Sequence, residues 1–321
     1  METKSHRLAH FPASFFGMTM GITGLSIAFL QLSQVFPGLN LIAQANFALA
    51  LVLFLILSLA YAFKIVRFLP SVKAEMRHPV KMNFVPAISI SLLLLSVALY
   101  TLGFHALSQW LWTLGAASQI ALTYWVLYNW VHHDFFTPEH SNPAWFIPIV
   151  GNIIVPIVGV YHAPEALNWF YFSVGLVFWL VVKSVLVNRI IFHAPMQARL
   201  IPTLFIFIAP PAVGFVSYLA LNDGQINQFA MVLYYFAVAM TLLMLVSVHK
   251  FMQLQFALSW WAFTFPVAAM VIASYQMAQN TGVVFYQYIG GFLHALLTLL
   301  IVFLLYKTMM AVKNQQICVD H

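Results

Sequence analysis

Long apolar stretches separated by short polar links run along almost the whole chain. Turn residues and charges bound ten of them: 12–34, 41–69, 82–103, 105–131, 144–162, 165–192, 199–221, 225–249, 256–278 and 283–311. An α-helix needs ~20 apolar residues to cross a bilayer, and the stretches lack the period-two alternation of membrane strands. The pattern predicts ten transmembrane helices in a single domain, residues 1–321, with both chain ends on one side.

Composition supports this class of protein. Hydrophobic residues make up 63% of the 321 positions and charged residues only 6%, whereas a soluble domain is about 25% charged. A soluble enzyme, a nucleic-acid-binding protein and a disordered chain are therefore excluded. The single cysteine, Cys318, supplies no thiolate metal site, and the segment HHDFFTPEH at 132–140 fits a solvated link better than a metal site. We expect an integral membrane protein that is not an enzyme and has no metal or other cofactor.

The charges are sorted between the two sides of the predicted bundle. All 13 Lys and Arg lie in the chain ends, in links after even-numbered stretches, or in the helix ends that lead to those links. Links after odd-numbered stretches carry only the acids Glu165 and Asp223. Because positively charged loops stay in the cytoplasm, both termini are predicted to be cytoplasmic. We expect a multi-pass protein of a bacterial inner (plasma) membrane.

Proline separates the same stretches into two classes. Pro12 opens the first stretch, the other odd-numbered stretches contain Pro86, Pro148, Pro156, Pro202, Pro210, Pro211 and Pro266, and the interiors of the even-numbered stretches contain none. Proline kinks a helix and frees a carbonyl that lipid cannot satisfy. This predicts five parallel helical hairpins in a quasi-fivefold ring, with five kinked inner helices around a central pore and straight helices outside. Parallel repeats differ from the inverted repeats of many secondary transporters.

The odd-numbered stretches also supply the candidates for the lining of this pore. We take them from small, hydroxyl, amide and aromatic residues: Phe15, Gly17, Ser89, Asn152, Thr203 and Thr264. No acid lies inside a stretch, whereas a cation pore is expected to carry acidic rings and a coupled carrier usually needs a buried carboxylate. A path without carboxylates and with positive flanks favours small anions as the permeating species.

Three segments resemble one known family. They are SWWAFTFP at 259–266, FFG at 15–17 and NPAW at 142–145. Together with the five parallel hairpins they resemble the tellurite-resistance/dicarboxylate transporter family, which includes bacterial TehA, fungal malate permeases and the slow anion channels of plant guard cells. The resemblance implies ten helices in a quasi-fivefold arrangement, an anion pore between the five inner helices, and a homotrimer in the membrane lipid.

The same resemblance implies a gate. The family closes its pore with a phenylalanine of the ninth helix beside a kink, and the matching residue here is Phe265, followed by Pro266 as the residue that supports the kink. A phenyl ring across a narrow path blocks it sterically and excludes water. Phe263 is the adjacent candidate, but two residues along a helix is a rotation of about 200°. Both side chains therefore cannot face the axis.

Two kinds of function fit the sequence. One is a gated channel that passes small, chloride- or nitrate-like anions. The other is a carrier of C4-dicarboxylates such as malate, or an exporter that confers tellurite resistance. A dicarboxylate carrier needs a cationic or amide clamp in its path, for which the inner stretches offer Asn152. Few ionisable residues fall inside the stretches, and the candidates for a coupling role, Lys183 and His294, lie on predicted outer helices, where snorkelling and packing are the ordinary roles.

Overall fold

The computed structural model describes residues 7–318, which contain helices and no strands; Lys4 of the basic N-terminal end lies outside them. We label the ten principal helices α1 Ala13–Ser33, α2 Pro37–Arg67, α3 Lys81–Thr101, α4 His105–His132, α5 Pro143–Gly159, α6 Glu165–Phe192, α7 Ala198–Leu221, α8 Gln228–Val246, α9 Leu258–Thr281 and α10 Val284–Lys313. Their ends lie within four residues of the predicted stretches. Two short helices, Leu69–Arg77 and Val248–Met252, follow α2 and α8.

The protein is a multi-pass membrane protein. In the part of the chain that the structure describes, 8 helices are long and apolar enough to cross a membrane by length and composition. Helix α5 is too short for that criterion. Helix α4 has 28 residues, and it is less apolar because its buried side includes Ser108, Gln119 and Thr123.

Burial divides the helices into two groups. The most apolar windows of α1 and α3 are 83% buried, and those of α7 and α9 are 72% and 78% buried. The corresponding windows of α6, α8 and α10 are 33% buried, and that of α2 is only 22% buried. Within α5, every residue from Phe146 to Ile154 is buried. The odd-numbered helices therefore form the interior, and the even-numbered helices expose apolar side chains.

Contacts between helices follow the same division. Each odd-numbered helix packs against the even-numbered helix that follows it, as α1 does with α2 and α9 with α10. The odd-numbered helices also contact one another in the order α1, α3, α5, α7 and α9, and α9 returns to α1. These contacts place the five odd-numbered helices side by side, each with an even-numbered helix packed against it.

All five odd-numbered helices begin in the same way, with 3₁₀ geometry that changes to α geometry. The 3₁₀ segments are Ala13–Phe15, Lys81–Phe84, Pro143–Trp145, Ala198–Ile208 and Leu258–Phe263. Pro86 directly precedes the α-helical part of α3, and Pro148, Pro210, Pro211 and Pro266 lie in the first turns of their α-helical parts. A first turn does not use its N–H groups within the helix, so proline fits there without losing a bond. These prolines therefore mark the change of helix type, and only Pro156 interrupts an α-helix, α5.

A buried ion pair joins the start of α1 to the end of α2. The Lys64 Nζ lies 2.6 Å from Glu75 Oε2, and both side chains are almost fully buried. Lys64 also donates a hydrogen bond of 2.7 Å to the carbonyl of Phe11, while Glu75 Oε1 accepts one of 2.7 Å from the amide of Ala13. Glu75 belongs to the short helix after α2, so the pair ties that helix to α1 at the end of the bundle where the chain begins.

We expect Lys64→Met to destabilise the protein strongly. Removing one partner of a buried ion pair leaves the other charge uncompensated, which typically costs about 3–5 kcal/mol. Thermal unfolding of the purified protein in detergent measures the effect. Lys313→Met, at the exposed end of α10, is the control. A Lys64→Met protein as stable as this control would show that the ion pair does not stabilise the fold.

Candidate functional site

A cavity of about 480 Å³ lies between the odd-numbered helices, at the end of the bundle away from the chain termini. Its lining comes from all five of these helices and the turns after them: Ile27, Gln31 and Gln34; Leu94, Tyr100 and Thr101; Ile154, Ile157, Val158 and Tyr161; Val213 and Val216; Phe265, Ala269, Ile272, Gln276 and Gln279. A cavity that all five inner helices share is the natural candidate for a transport path.

Phe265 lies at the inner end of this cavity. It is 7% exposed and is the lining residue of α9 nearest to the end of the bundle that holds the chain termini. From Phe265 the lining residues of α9 continue through Ala269, Ile272 and Gln276 to Gln279, one stripe along the helix. The two ends of this stripe, Phe265 and Gln279, are 14 positions apart in the helix, which corresponds to a rise of about 21 Å. The phenyl ring therefore lies deep in the protein. We call the cavity between this ring and the open outer end the vestibule.

The chemistry of the cavity changes with depth. Near Phe265 the side chains are aliphatic, such as Leu94 and Val213. Amides, hydroxyls and tyrosines lie at the outer end of the cavity, which we call its rim. Tyr100 and Tyr161 stack there with ring centroids 4.5 Å apart. An ion that moves inward thus leaves a polar rim and enters an apolar section in which water is poorly held.

Close packing between α1 and α9 positions Phe265. A Cβ at Gly24 would lie 2.7 Å from the Cβ of Ala268 and 3.8 Å from Cδ2 of Phe265, so the phenyl ring lies against bare backbone. One turn earlier, a Cβ at Gly21 would overlap the Thr264 side chain. Glycine at both positions lets the two helices approach closely enough to hold the ring at the cavity floor.

Ser89 and Asn152, two candidates for the pore lining, are directed toward α4. The hydroxyl of Ser89 donates to Gln119 Oε1 at 2.7 Å. Asn152 Nδ2 donates to Thr123 Oγ1 at 2.8 Å, and Thr123 donates to the carbonyl of Pro148 at 2.6 Å. These hydrogen bonds account for polar residues at the junction of α3, α4 and α5, although Asn152 Oδ1 is buried without a partner among the described residues.

The other candidates from the sequence lie near the starts of their helices. Phe15 stacks on Phe11 with ring centroids 4.7 Å apart. Thr203 and Thr264 donate their hydroxyl hydrogens to carbonyls three residues earlier. A Cβ at Gly17 would make only ordinary contact with α9, at 3.9 Å. None of these four is among the described residues that line the cavity, and their part in a pore remains a prediction.

Pro266 directly follows Phe265 in the first α-helical turn of α9. Its place at the change from 3₁₀ to α geometry aims the side chain before it. The bend that the sequence assigns to Pro266 stays a prediction.

Lys183 and His294 have packing partners away from the cavity. The Lys183 Nζ lies 4.7 Å from the ring centroid of Phe236 and 5.3 Å from that of Trp179. His294 Nδ1 lies 3.0 Å from the hydroxyl of Tyr275. Neither residue is among the described cavity-lining residues. These contacts fit the cation–π and hydrogen-bonding roles of buried polar groups.

Sequence reasoning missed the polar residues of the cavity rim. Gln31 and Gln34 near the end of α1, and Gln276 and Gln279 near the end of α9, line the cavity as two pairs with a spacing of three residues. A signal for them was present in the sequence. Gln276 and Gln279 follow Phe265 by eleven and fourteen residues, about three and four helical turns, and therefore lie on the same face of α9 as Phe265.

Comparison with known proteins identifies several relatives. The family model of voltage-dependent anion channels, SLAC1, matches residues 10–309. An uncharacterised transporter of Methanocaldococcus jannaschii is 28% identical over 100% of the chain and 99% of its own length. The S-type anion channel SLAH3 of Arabidopsis thaliana is 28% identical over 94% of the chain, which corresponds to 48% of the plant protein. A tellurite resistance protein TehA homologue of Haemophilus influenzae is 22% identical over 92% of the chain and 90% of its own length.

We expect Gly21→Ala to lower the melting temperature of the purified protein, because the new methyl group would overlap the Thr264 side chain. Overpacking of this kind typically costs about 1–3 kcal/mol. Gly17→Ala is the matched control, since it meets only ordinary contact on the same helix pair. Adding Thr264→Ala to Gly21→Ala removes the clashing hydroxyl and should restore part of the loss. Equal melting temperatures for the two single variants would contradict this account of the packing.

Proposed function

The chain belongs to the SLAC1 family of voltage-dependent anion channels, and on this premise we propose that it is a gated channel in which the side chain of Phe265 closes the central pore. The resemblance to the tellurite-resistance/dicarboxylate transporter family is confirmed, and the activity of the family is anion transport, not enzyme catalysis. The observation that carries the proposal is the cavity between the five odd-numbered helices with Phe265 at its inner end.

The pore that we propose runs along the axis of a quasi-fivefold ring of five helical hairpins. The circuit of contacts from α1 through α9 and back to α1 supports this arrangement. So does the burial of the odd-numbered helices behind the even-numbered ones. In such a ring the axis is the one place where all five inner helices face a common path, and the vestibule would be its outer half.

Phe265 suits the role of gate because of its surroundings. The ring is buried at the inner end of the cavity, beside an apolar section in which a closed path would be dry as well as blocked. Rotation of the side chain away from the axis would join the vestibule to the other half of the pore. The barrier to conduction would then come from one side chain rather than from rearrangement of the helix bundle.

Selection for anions would come from dipoles and from the absence of carboxylates. Among the described residues that line the cavity there is no Asp or Glu. The α-helical parts of all five inner helices begin inside the bundle after their 3₁₀ segments, and a helix N-terminus is the positive end of its dipole. On α9 this positive end lies beside Phe265, whereas the outer end of the cavity lies at the opposite ends of the helices, so the dipoles would lower the cost of an anion relative to a cation in the deep part of the pore.

We propose further that the protein lies in a bacterial inner membrane, with both termini in the cytoplasm, as a homotrimer. The sorting of Lys and Arg toward the end of the bundle that holds the chain termini supports this orientation. The vestibule would then open to the outside of the cell. The large apolar surface of the even-numbered helices, greatest on α2, offers contact area for lipid or for neighbouring subunits.

A carrier of C4-dicarboxylates and an exporter that confers tellurite resistance are the alternative functions. The described lining of the cavity has no Lys, Arg or His to pair with two carboxylates. Asn152, the amide that the sequence offered as a clamp, is engaged with α4. Both observations favour the channel over a dicarboxylate carrier.

We expect Phe265→Ala to raise the anion conductance strongly, because it removes the ring that closes the pore. A rise of roughly tenfold corresponds to a barrier lowered by only about 1.4 kcal/mol. Reversal potentials under a chloride gradient, recorded in planar bilayers, measure both the current and its ion selectivity. The matched control is Phe263→Ala, whose ring packs instead against Phe205 and Phe251 at centroid distances of 4.6 and 5.6 Å.

The expected pattern is a large current in Phe265→Ala that reverses near the chloride potential, and no comparable current in wild type or Phe263→Ala. A well-folded Phe265→Ala protein that conducts no more than wild type would overturn the gate. Saturable uptake of labelled malate into vesicles that depends on a pH gradient would instead support the carrier.

A further inference from the structure

We propose that the glutamines at the cavity rim form a neutral, amide-lined binding site that holds monovalent anions and discriminates against divalent ones. This site rests on the proposed channel function, since it would load the ion above the gate. Its residues are Gln31 and Gln34 of the α1 end and Gln276 and Gln279 of the α9 end, and all four line the cavity.

The glutamines lie together because α1 and α9 pack against each other. On each helix the two residues are three positions apart, so they project from one face. On α9 that face also carries Phe265, eleven residues before Gln276, a rise of about 16 Å. The site therefore lies on the same path as the ring but well above it, near the open end of the vestibule.

Two of these side chains have unused hydrogen-bonding capacity. The Oε1 atoms of Gln31 and Gln276 are buried and have no hydrogen-bond partner among the described residues. The Nε2 atoms of the same two residues make no hydrogen bond among the described residues, so each NH₂ group keeps two donors. Because the oxygens are buried, the NH₂ groups are the parts of these amides that can reach an anion in the cavity, and they can do so without breaking a bond to the protein.

The chemistry of the rim predicts the charge preference. The described lining residues include no Lys, Arg or His, so amides and hydroxyls must replace the water that an ion loses. The cost of desolvation rises with the square of the charge and is thus roughly four times larger for a divalent ion of equal size. The attraction to neutral dipoles only doubles with charge. Monovalent anions should therefore bind, whereas sulfate and dicarboxylates should be excluded.

The section below the glutamines strengthens this discrimination. On α9, Ile272 and Ala269 separate Gln276 from Phe265, and an apolar wall offers no replacement for lost water. An ion must therefore be partly dehydrated at the rim before it moves inward. The glutamines would lower the cost of that step for a singly charged ion.

The test uses Phe265→Ala as an open background and compares Gln31→Leu, Gln276→Leu and both together. The control is Gln287→Leu, because Gln287 lines a smaller, neighbouring cavity that shares Gln31 and Gln279 with the central one, but does not line the central cavity itself. Bilayer recordings give the nitrate-to-sulfate permeability ratio and the nitrate concentration at half-maximal current. We expect the ratio to fall several-fold and the half-maximal concentration to rise several-fold in the double variant, with both unchanged in the control.

Charge variants at one position supply a second readout. Gln276→Lys should raise the nitrate current at low salt and Gln276→Glu should lower it, and the difference should shrink at high salt because ions screen the added charge. A glutamine that only packs would not produce opposite effects of this kind. Equal currents for the two variants at low salt would contradict a site on the path.

A measurement without conduction separates this proposal from the gate. Nitrate should raise the melting temperature of the purified wild-type protein and of Gln287→Leu, but not that of the Gln31→Leu/Gln276→Leu variant. If Phe265→Ala does not conduct, the proposal that Phe265 is the gate is wrong. The thermal shift then still tests whether the glutamines bind nitrate. If Phe265→Ala conducts but the leucine variants keep both the permeability ratio and the thermal shift, the glutamine site is refuted and the channel stands.

Discussion

Lipid supplies no hydrogen-bond partners, and this constraint governs the whole structure. All five inner helices start in 3₁₀ geometry and four of them carry proline at or near that start, so their backbones depart from a regular α-helix inside the bundle. Non-helical backbone at this depth is tolerated only where protein or a water-filled cavity satisfies it. The even-numbered helices meet part of this need: the Trp112 indole donates to the carbonyl of Val155, and Asn168 donates to that of Gly159.

The same constraint explains where polar residues are available for transport. Most buried hydroxyls and amides of the inner helices are occupied by the backbone or by an outer helix, as Ser89 and Asn152 are. The deep part of the cavity is consequently apolar, and its polar groups are concentrated at the rim. An apolar passage with one aromatic ring at its end can be closed by a small movement. A passage with fixed charges would bind its ion tightly and release it slowly.

The structure also shows how the ring is held. Gly21 and Gly24 bring α1 against α9, and the Lys64–Glu75 pair fastens the start of α1 to the link after α2. The position of Phe265 therefore depends on contacts that reach to the end of the bundle holding the chain termini. A change in the α1–α9 contact would therefore move the ring.

The sequence by itself determined the class of protein and the helix positions, and its resemblance to a known family led to the proposal of Phe265 as the gate. Hydrophobic length, charge and proline each leave a linear pattern, and the SWWAFTFP segment carried the family resemblance. Only the tertiary structure decided which way the side chains face. A 3₁₀ segment turns by about 120° per residue and an α-helix by about 100°, so the helical phase after a mixed start cannot be read from spacing alone. For that reason the bonds of Ser89 and Asn152 to α4, and the place of Gln31 and Gln276 in the lining of one cavity, became visible only once the helices were packed together.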